Sequence, residues 1–341
     1  MSEQILRSLA LASMLALLVA GPACLTLPDS STDEDTTGQD KFDDPGDTTS
    51  TPDTTTAPIS TAYFLFQAAD LRSPEWPDAF RDYDLLVCNP SMPPSDLATI
   101  RAEMPEVLLI ADTNVQDIRL GYHAGNPYFD ALTAAFDSSW CIRDFDTGEL
   151  IGVLGYDGTP GSGVPAWIPL GPSIEALVAF HRDVTMASPW DGFYVDQCTE
   201  VYPPWRQAII LEQTLRFDYD GDGSVDRMDD LLVDYATGRA RFTQRLREVL
   251  GPDVLLVGNA GGHLADPALN GICLEGVGER FTVQQARDIL DDAEAVSPGR
   301  WIAPLWVTAD DCVEATEQLS HEHPGVHYGV VDYFTPTPPN P

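Results

Sequence analysis

Basic side chains are scarce in this sequence, and lysine is almost missing. The 341 residues include 54 acidic and 18 basic side chains, which gives a formal net charge of −36, and the single lysine is Lys41. Because the phosphate backbone of a nucleic acid would be repelled by this charge, nucleic-acid binding is excluded. A surface this acidic favours solubility in salt or a neutral binding partner. The length suits one large or two small domains, and apolar residues make up 43% of the chain, enough to build a sizeable core.

Several motifs of well-known chemistry are also missing. The six cysteines form no CxxC pair, which argues against a zinc ribbon or a thioredoxin-like site. No GxGxxG follows the first predicted strand, and residues 161–163 lack the spacing of a nucleophile elbow. If the chain is exported, one or two disulfides are expected among the cysteines, with their pairing left open.

The N-terminus has the pattern of an export signal. Arg7 precedes an apolar stretch over residues 9–19 that is too short for a stable membrane span. The segment 21–24 that follows, Gly-Pro-Ala-Cys, resembles a bacterial lipobox. We therefore predict a signal peptide over residues 1–23 and lipidation of Cys24, so that the protein is exported and held at a bacterial membrane or cell surface by this anchor alone. Because Gly21 replaces the usual leucine, ordinary cleavage and secretion remain the alternative.

Between two polar ends, strand-like and helix-like segments alternate. Residues 24–60 are rich in Thr, Asp, Ser and Pro and predict a disordered tether, and residues 336–341 predict a disordered tail. Residues 61–335 predict one α/β domain, a (β/α)8 TIM barrel, with a doubly wound open sheet as the alternative. We expect a monomer. The predicted strands are residues 62–67, 85–88, 107–112, 192–196, 254–258, 271–275, 301–306 and 325–332.

Acidic residues stand at the ends of several predicted strands. Three apolar runs end at Asp196, Glu275 and Asp332, and another ends at Asp112. The C-terminal ends of barrel strands line the mouth in which barrel enzymes keep their catalytic groups. Two carboxyl groups in different environments are what the cleavage of a glycosidic bond requires. We therefore predict that Asp196 and Glu275 are catalytic, although an acid at a strand end can also simply orient a loop.

Other residues near the strand ends are candidates for contact with a carbohydrate substrate. Amide and carboxylate groups suit the hydroxyls of a sugar, and an indole or phenol ring can stack on a sugar face, as we consider for Trp306 and Tyr202. Short polar residues are also common in any turn. The predicted substrate-binding residues are Asp112, Gln197, Asn259, Trp306 and Asp332.

Residues 218–229 match the twelve-residue calcium loop of an EF-hand. Acids stand at loop positions 1, 3, 5, 9 and 12, Gly223 is at the sharp turn, and Ser224 would offer its carbonyl at position 7. This spacing predicts a bound Ca²⁺ ion with a structural role, because a single loop lacks the partner that a sensor uses. The predicted ligands are Asp218, Asp220, Asp222, Ser224, Asp226 and Asp229.

Four short motifs resemble those of the glycoside hydrolase-like TIM barrels of bacterial surface lipoproteins. Residues 190–197 resemble the strand-four signature of these barrels, in which Asp-Gly and three apolar residues precede Asp and Asn or Gln. The other three motifs are residues 140–148, 256–259 and 274–276. The resemblance covers roughly residues 60–335 and implies a glycosidase in which Asp196 and Glu275 are the catalytic pair. Gln197 stands where Asn is common, which puts detailed sugar contacts in question.

Two functions therefore compete. The first is a calcium-stabilised glycoside hydrolase at the cell surface that cleaves a polysaccharide or oligosaccharide with two carboxyl groups. The alternative is a non-catalytic barrel that captures glycans, which would not require both Asp196 and Glu275. A metal-dependent hydrolase is less favoured, because no histidine pair is predicted at the mouth.

Overall fold

A computed structural model of the protein describes most of the predicted domain. The described residues are 62–66, 71, 76, 78–120, 125–154, 158–159, 162–259, 265–297, 301–307 and 313–330. All of them belong to the unit Ile59–Pro341. The predicted signal peptide, tether and tail lie outside these residues, as do the predicted site residues Cys24 and Asp332.

Eight parallel strands form the central sheet. They follow one another across the sheet in the order of the chain, each paired with the next. The strands are β1 (Ala62–Phe66), β2 (Leu85–Cys88), β3 (Leu108–Asn114), β4 (Gly192–Asp196), β5 (Leu255–Asn259), β6 (Gly271–Val277), β7 (Ala303–Val307) and β8 (Val326–Val330).

This strand order differs from that of a doubly wound sheet. In a doubly wound sheet the order reverses at a switch point near the middle. Here it runs from β1 to β8 without reversal, as it does in barrel-like folds. The predicted alternation of parallel strands with helices is therefore confirmed, and the sheet is consistent with a barrel-like fold.

The buried strands are apolar on both faces, which explains their continuous apolar runs. Successive side chains point to opposite faces of a strand. Alternate residues such as Leu85, Ile110 and Val257 belong to one buried cluster together with Trp306. The residues between them, such as Leu109, pack on the other face in a larger cluster with the helices.

Helices connect most of the strands. Thr282 accepts a hydrogen bond from the backbone of Gln285 and begins α6 as a helix cap. The helix α4 lies inside the long region after β4 and was missed by the sequence prediction. Among the described residues the α-helices are α1 (Pro94–Glu103), α2 (Pro127–Ala135), α3 (Gly171–Asp183), α4 (Pro204–Gln213), α5 (Met228–Leu250), α6 (Val283–Val296) and α7 (Val313–Glu322).

A small antiparallel unit forms beside the central sheet. Arg143 bridges Leu150 across a tight turn in which Gly148 has a φ of 73°. The segment Arg143–Asp144 also pairs with Phe217–Asp218, and Asp218 is the first residue of the predicted calcium loop. This pairing fixes the start of the acidic loop to another part of the chain.

Within the described residues, neither a disulfide nor a membrane-spanning helix is found. Cys88, Cys141, Cys198 and Cys273 are all buried free thiols, so the expected disulfides do not join these four cysteines. The helices of this part of the chain lack the combination of length and apolar character that crossing a bilayer requires.

Candidate active site

At one end of the sheet, polar side chains stand on the same face as the apolar side chains of the interior cluster. A residue two positions further along a strand points to the same face. The interior residues Ile110, Tyr194, Val257 and Cys273 are therefore each followed, two positions on, by a polar side chain. These polar residues are Asp112, Asp196, Asn259 and Glu275.

The side chain of Asn259 joins the two predicted catalytic acids. Its Nδ2 nitrogen donates one hydrogen bond to Oδ1 of Asp196 and another to Oε1 of Glu275, each at 2.8 Å. Since both bonds share one nitrogen, these two carboxyl oxygens lie no farther apart than twice 2.8 Å. Asp196 and Glu275, which are 79 positions apart in the sequence, therefore meet at the same end of the sheet.

Glu275 is largely buried beside another acid. Its side chain is 18% exposed, and burial raises its pKa to about 7, with the charge of Asp196 acting in the same direction. Arg280 opposes this shift from 3.9 Å. The Tyr194 hydroxyl donates to Oε1 at 3.2 Å. A carboxyl group with a pKa near neutrality can hold a proton and release it during a reaction.

Asp196 faces three N–H donors. Oδ1 accepts from the backbone of Gln197 at 2.8 Å and from Asn259, and Oδ2 accepts from Nδ2 of Asn114 at 3.1 Å. These donors fix the orientation of the carboxylate and stabilise negative charge on it. Asp196 and Glu275 therefore sit in different environments, one rich in N–H donors and one dominated by burial.

Asp112 is a third acid near the pair. Burial raises its pKa well above the ordinary value, and the negative charge of Asp196 adds to the increase. Arg119 stands 4.0 Å from its Oδ2 and acts in the opposite direction. Repulsion from Asp196 already adds to the raised pKa of both Asp112 and Glu275, so a further negative charge from a ligand would be unfavourable here and an uncharged ligand is favoured over an anionic one.

A cavity of about 50 Å³ opens beside Asp112. Asp117, which contributes to its wall, is buried and bonds Arg206 through Oδ2 at 2.8 Å, while its Oδ1 has no hydrogen-bond partner among the described residues. A hydroxyl-bearing ligand would satisfy such an acceptor. The wall residues are Pro90, Asp112, Thr113, Asn114, Asp117, Ile118, Arg119, Tyr128, Phe129, Leu132, Leu177 and His181.

The remaining predicted site residues occupy different positions. Gln197 contributes its backbone N–H and C=O to hydrogen bonds. Trp306 is 8% exposed within the interior cluster and pairs in register with Glu275. Tyr202, which was considered for stacking on a sugar, is completely buried against Tyr235 and packs in the protein interior instead. Asp332 lies outside the described residues.

Three residues that contact the acids were missed in the sequence. Tyr194 stands two positions before Asp196 on the same face of β4, so the alternation alone could have indicated it. Asn114 follows Asp112 by two positions, and its side chain points to the same face because β3 continues past its predicted end. Arg280 is brought back by a turn in which its backbone N–H donates to the carbonyl of Gly276, and nothing in the sequence pattern predicted this return.

The first half of the predicted calcium loop forms a group of converging acids. Each of Asp218, Asp220 and Asp222 places a carboxyl oxygen within 4.8 Å of the others. Backbone N–H groups hold them, since Gly221 and Gly223 donate to Asp218 at 2.6 and 3.0 Å. Across the described part of the chain, this is the group of three acids with metal-binding spacing, so Asp112, Asp196 and Glu275 do not form such a group.

The second half of the loop is arranged differently. Asp226 accepts a hydrogen bond from the backbone of Tyr219 at 2.7 Å. Asp229, the predicted final ligand, is 79% exposed and pairs with Arg227 at 3.1 Å. The Ser224 N–H donates to Asp222 at 2.6 Å. Carboxyl oxygens of Asp218, Asp220 and Asp222 therefore converge, whereas the carboxyl group of Asp229 pairs with Arg227 instead.

Comparison with known proteins finds only distant likenesses. No family model matches the chain, and no curated protein does. Solved structures that resemble it include a cycloisomaltooligosaccharide glucanotransferase from Paenibacillus sp. (12% identity, TM-score 0.46, 73% of this chain and 38% of that one). The alpha-L-fucosidase isoenzyme 2 of Paenibacillus thiaminolyticus is 14% identical, with a TM-score of 0.45 and coverage of 80% and 46%.

A third likeness is the cycloalternan-degrading enzyme of Trueperella pyogenes, at 9% identity and a TM-score of 0.48, with coverage of 81% of this chain and 43% of that one. The chain spans less than half the length of each of these three structures. Because the likenesses are distant, the function of this chain is inferred from the geometry of its own acid pair.

The raised pKa of Glu275 predicts a pH-dependent stability. Its pKa is about 7 in the folded chain against an ordinary value of 4.5. The folded state therefore holds the proton more tightly, and the stabilisation, complete below pH 4.5, is lost as the pH rises through 7. Glu275→Gln removes this loss, so we expect its free energy of unfolding to exceed that of the unmodified protein by about 1–3 kcal/mol more at pH 8 than at pH 5.

Urea unfolding of the full chain at both pH values would measure this difference. Glu212→Gln, a substitution of an exposed glutamate on α4, serves as the control and should leave the pH dependence unchanged. An equal pH dependence in the Glu275→Gln variant and the unmodified protein would contradict the buried, proton-binding state of Glu275.

Proposed function

We propose that the protein is a retaining glycoside hydrolase that acts on a neutral polysaccharide or oligosaccharide. The observation that carries this proposal is the pair of hydrogen bonds from one nitrogen of Asn259 to Asp196 and Glu275. Carboxyl groups of retaining glycosidases stand about 5–5.5 Å apart, whereas those of inverting enzymes stand roughly 6.5–9.5 Å apart to admit a water molecule. Oδ1 of Asp196 and Oε1 of Glu275 are at most twice 2.8 Å apart, which is closer to the retaining than to the inverting separation and favours retention.

In the first step, a carboxylate oxygen of Asp196 attacks the anomeric carbon of the sugar. The bond from that carbon to the leaving oxygen breaks, and Glu275 gives its proton to the leaving oxygen. The N–H donors around Asp196 suit the ionised nucleophile, and the raised pKa of Glu275 suits the proton donor. In the second step, water attacks the anomeric carbon, the ester to Asp196 breaks, and Glu275 accepts a proton from the water.

The proposal extends to a complete (β/α)8 TIM barrel. Cα atoms of β1 and β8, the two outer strands in the sheet order, approach within 8 Å of one another. Strand neighbours in a sheet lie about 4.8 Å apart, so this approach supports closure of the sheet into a barrel. In a closed barrel, Asp196 and Glu275 would lie at the C-terminal mouth.

Substitution of either acid should abolish hydrolysis. We expect Asp196→Asn and Glu275→Gln each to reduce the release of reducing ends from a panel of defined glycans by at least about 10³-fold. Glu212→Gln, on an exposed helix face, should keep the rate within about twofold. NMR of the first-formed product should show the anomeric configuration of the substrate.

Three results would contradict parts of this assignment. Activity that survives both substitutions would reject these catalytic residues. An inverted product would reject Asp196 as the nucleophile. Binding of a glycan by the unmodified protein without release from any member of the panel would favour the alternative function, a surface module that captures glycans.

We further propose that residues 218–229 bind Ca²⁺ and that the ion has a structural role. The oxygens of Asp218, Asp220 and Asp222 already converge, and hard oxygen ligands suit this cation. Asp226, the Ser224 carbonyl and Asp229 would complete the set. Bound Ca²⁺ would offset repulsion within the acid group and order the loop from which α5 begins.

Calcium should therefore raise the melting temperature of the full chain. Ligand binding to the folded state adds RT ln(1 + [L]/Kd), about 2.7 kcal/mol at a hundredfold excess over Kd. We expect the increase on adding Ca²⁺ after chelation to be lost in a double variant, Asp220→Ala with Asp222→Ala. Asp230→Asn, at an exposed acid just past the loop, should keep it. An unchanged increase in the double variant would reject this site.

The location is proposed from the sequence of residues 1–24. The apolar stretch before Gly21-Pro-Ala-Cys24 supports export and lipidation at Cys24, with the polar segment 25–60 as a tether to the cell surface. Secretion without lipid is the alternative. The lipid anchor would be the contact with the membrane, and the domain would act as a monomer on carbohydrate.

If Cys24 is lipidated, the protein should partition into a detergent phase. Expressed in a bacterial host, the full chain should partition into the detergent phase of Triton X-114, and Cys24→Ser should move it to the aqueous phase. Cys88→Ser replaces a buried cysteine of the domain and should leave the partition unchanged. Partition of the unmodified chain into the aqueous phase would favour plain secretion.

A further inference from the structure

The residue after Asp196 has an unusual backbone conformation. Gln197 has a φ of 55°, the left-handed region that a non-glycine residue seldom adopts. In this conformation its N–H points back to Oδ1 of Asp196 at 2.8 Å. Such a strained backbone conformation is unfavourable by itself and persists where the surroundings hold it.

Two buried side chains hold Gln197 in this conformation. Its carbonyl oxygen accepts hydrogen bonds from Nε2 of Gln116 at 2.7 Å and from the hydroxyl of Tyr235 at 2.9 Å. Gln116 also donates to the Tyr235 oxygen at 2.7 Å, so the two groups hold each other. Both residues are completely buried, one in the loop after β3 and the other on α5.

Gln116 also reaches Asp196 by a second route. Its backbone N–H donates to Oδ1 of Asn114 at 2.8 Å, and this fixes the Asn114 amide with its NH₂ group towards Oδ2 of Asp196. Gln116 therefore supports both oxygens of the Asp196 carboxylate. Its side chain acts on Oδ1 through Gln197, and its backbone acts on Oδ2 through Asn114.

We propose that Gln116 and Tyr235 are positioning residues that aim the Asp196 carboxylate at the reacting carbon. They contact neither acid through their side chains and act through the Gln197 carbonyl. The proposal rests on the function assigned above, and it adds residues from two other elements to the support of the nucleophile. The Asp196 carboxylate should shift when either side chain loses its donor, because the Gln197 N–H is then released.

Tyr235→Phe tests this inference without relying on turnover. The substitution removes one hydroxyl and keeps the ring that packs on Tyr202. The nearby charge of Asp196 raises the pKa of Glu275, so movement of Asp196 away from Glu275 should lower that pKa from about 7 by about half a pH unit or more. Carbon-13 NMR of the full chain labelled in glutamate would measure it, with the resonance assigned by Glu275→Gln.

Tyr202→Phe is the matched control. Tyr202 is as buried as Tyr235, and the centroids of the two rings are 5.1 Å apart, but the hydroxyl of Tyr202 lies near Arg206. We expect no change in the Glu275 titration in this variant. An unchanged titration in Tyr235→Phe, or equal changes in the two tyrosine variants, would overturn the inference. Gln116→Met, which removes the other donor, should lower the pKa of Glu275 as Tyr235→Phe does.

Kinetics separate positioning from binding. With a glycan that the unmodified protein hydrolyses, Tyr235→Phe should lower kcat about tenfold and leave KM within about twofold, because substrate binding is intact while the nucleophile is misplaced. A higher KM with unchanged kcat would overturn the positioning role. If no glycan is hydrolysed, the proposed function fails, and the Glu275 titration still decides whether Tyr235 and Gln116 position Asp196.

Discussion

The amide nitrogen of Asn259 is the group on which the site depends. Two carboxyl groups this close would repel if both were charged, and each would cost free energy to bury without a donor. The NH₂ group of Asn259 donates one hydrogen bond to Asp196 and one to Glu275, so the two neighbouring acids share this donor. The remaining contacts divide the acids into different environments, with N–H groups around Asp196 and burial around Glu275.

The alternation of side chains along parallel strands places these groups. In β3, β4, β5 and β6, one face packs in the interior cluster, and the last side chain on that face is polar. Helices cover the other face, which keeps the strands rigid. A strained residue directly after β4 then aligns the carboxylate, and it is held by residues from the loop after β3 and from α5. Rigid strands therefore set the distance between the acids, while the connecting segments set their orientation.

The sequence was sufficient to locate the strands, because they are apolar runs, and to predict the meeting of Asp196 with Glu275, because each of these acids ends such a run. It was insufficient for α4, where the fully buried side chains are the charged Arg206 and the apolar Ile210, and for β3, which continues two residues beyond Asp112 to Asn114. The contact between Gln116 and Gln197 joins residues 81 positions apart, and no local pattern encodes it.

The calcium loop shows a similar limit of sequence-based prediction. The spacing of acids predicts a complete ligand set, and Asp218, Asp220 and Asp222 do converge. Asp229 instead forms an ion pair with Arg227, which would compete with a cation for the same carboxylate, and the spacing rule does not consider such a partner. Local motifs therefore predict which residues are near each other along the loop, but the partner that each side chain takes depends on neighbours outside the motif.

The closeness of Asp196 and Glu275 also links the protonation of one acid to the covalent state of the other. On the proposed mechanism, Asp196 becomes an uncharged ester once it has captured the sugar, and the like charge that raises the pKa of Glu275 disappears. Having given its proton to the leaving group, Glu275 then stays ionised and can accept a proton from the attacking water. The same side chain thus changes from acid to base within each turnover, timed by the nucleophile itself.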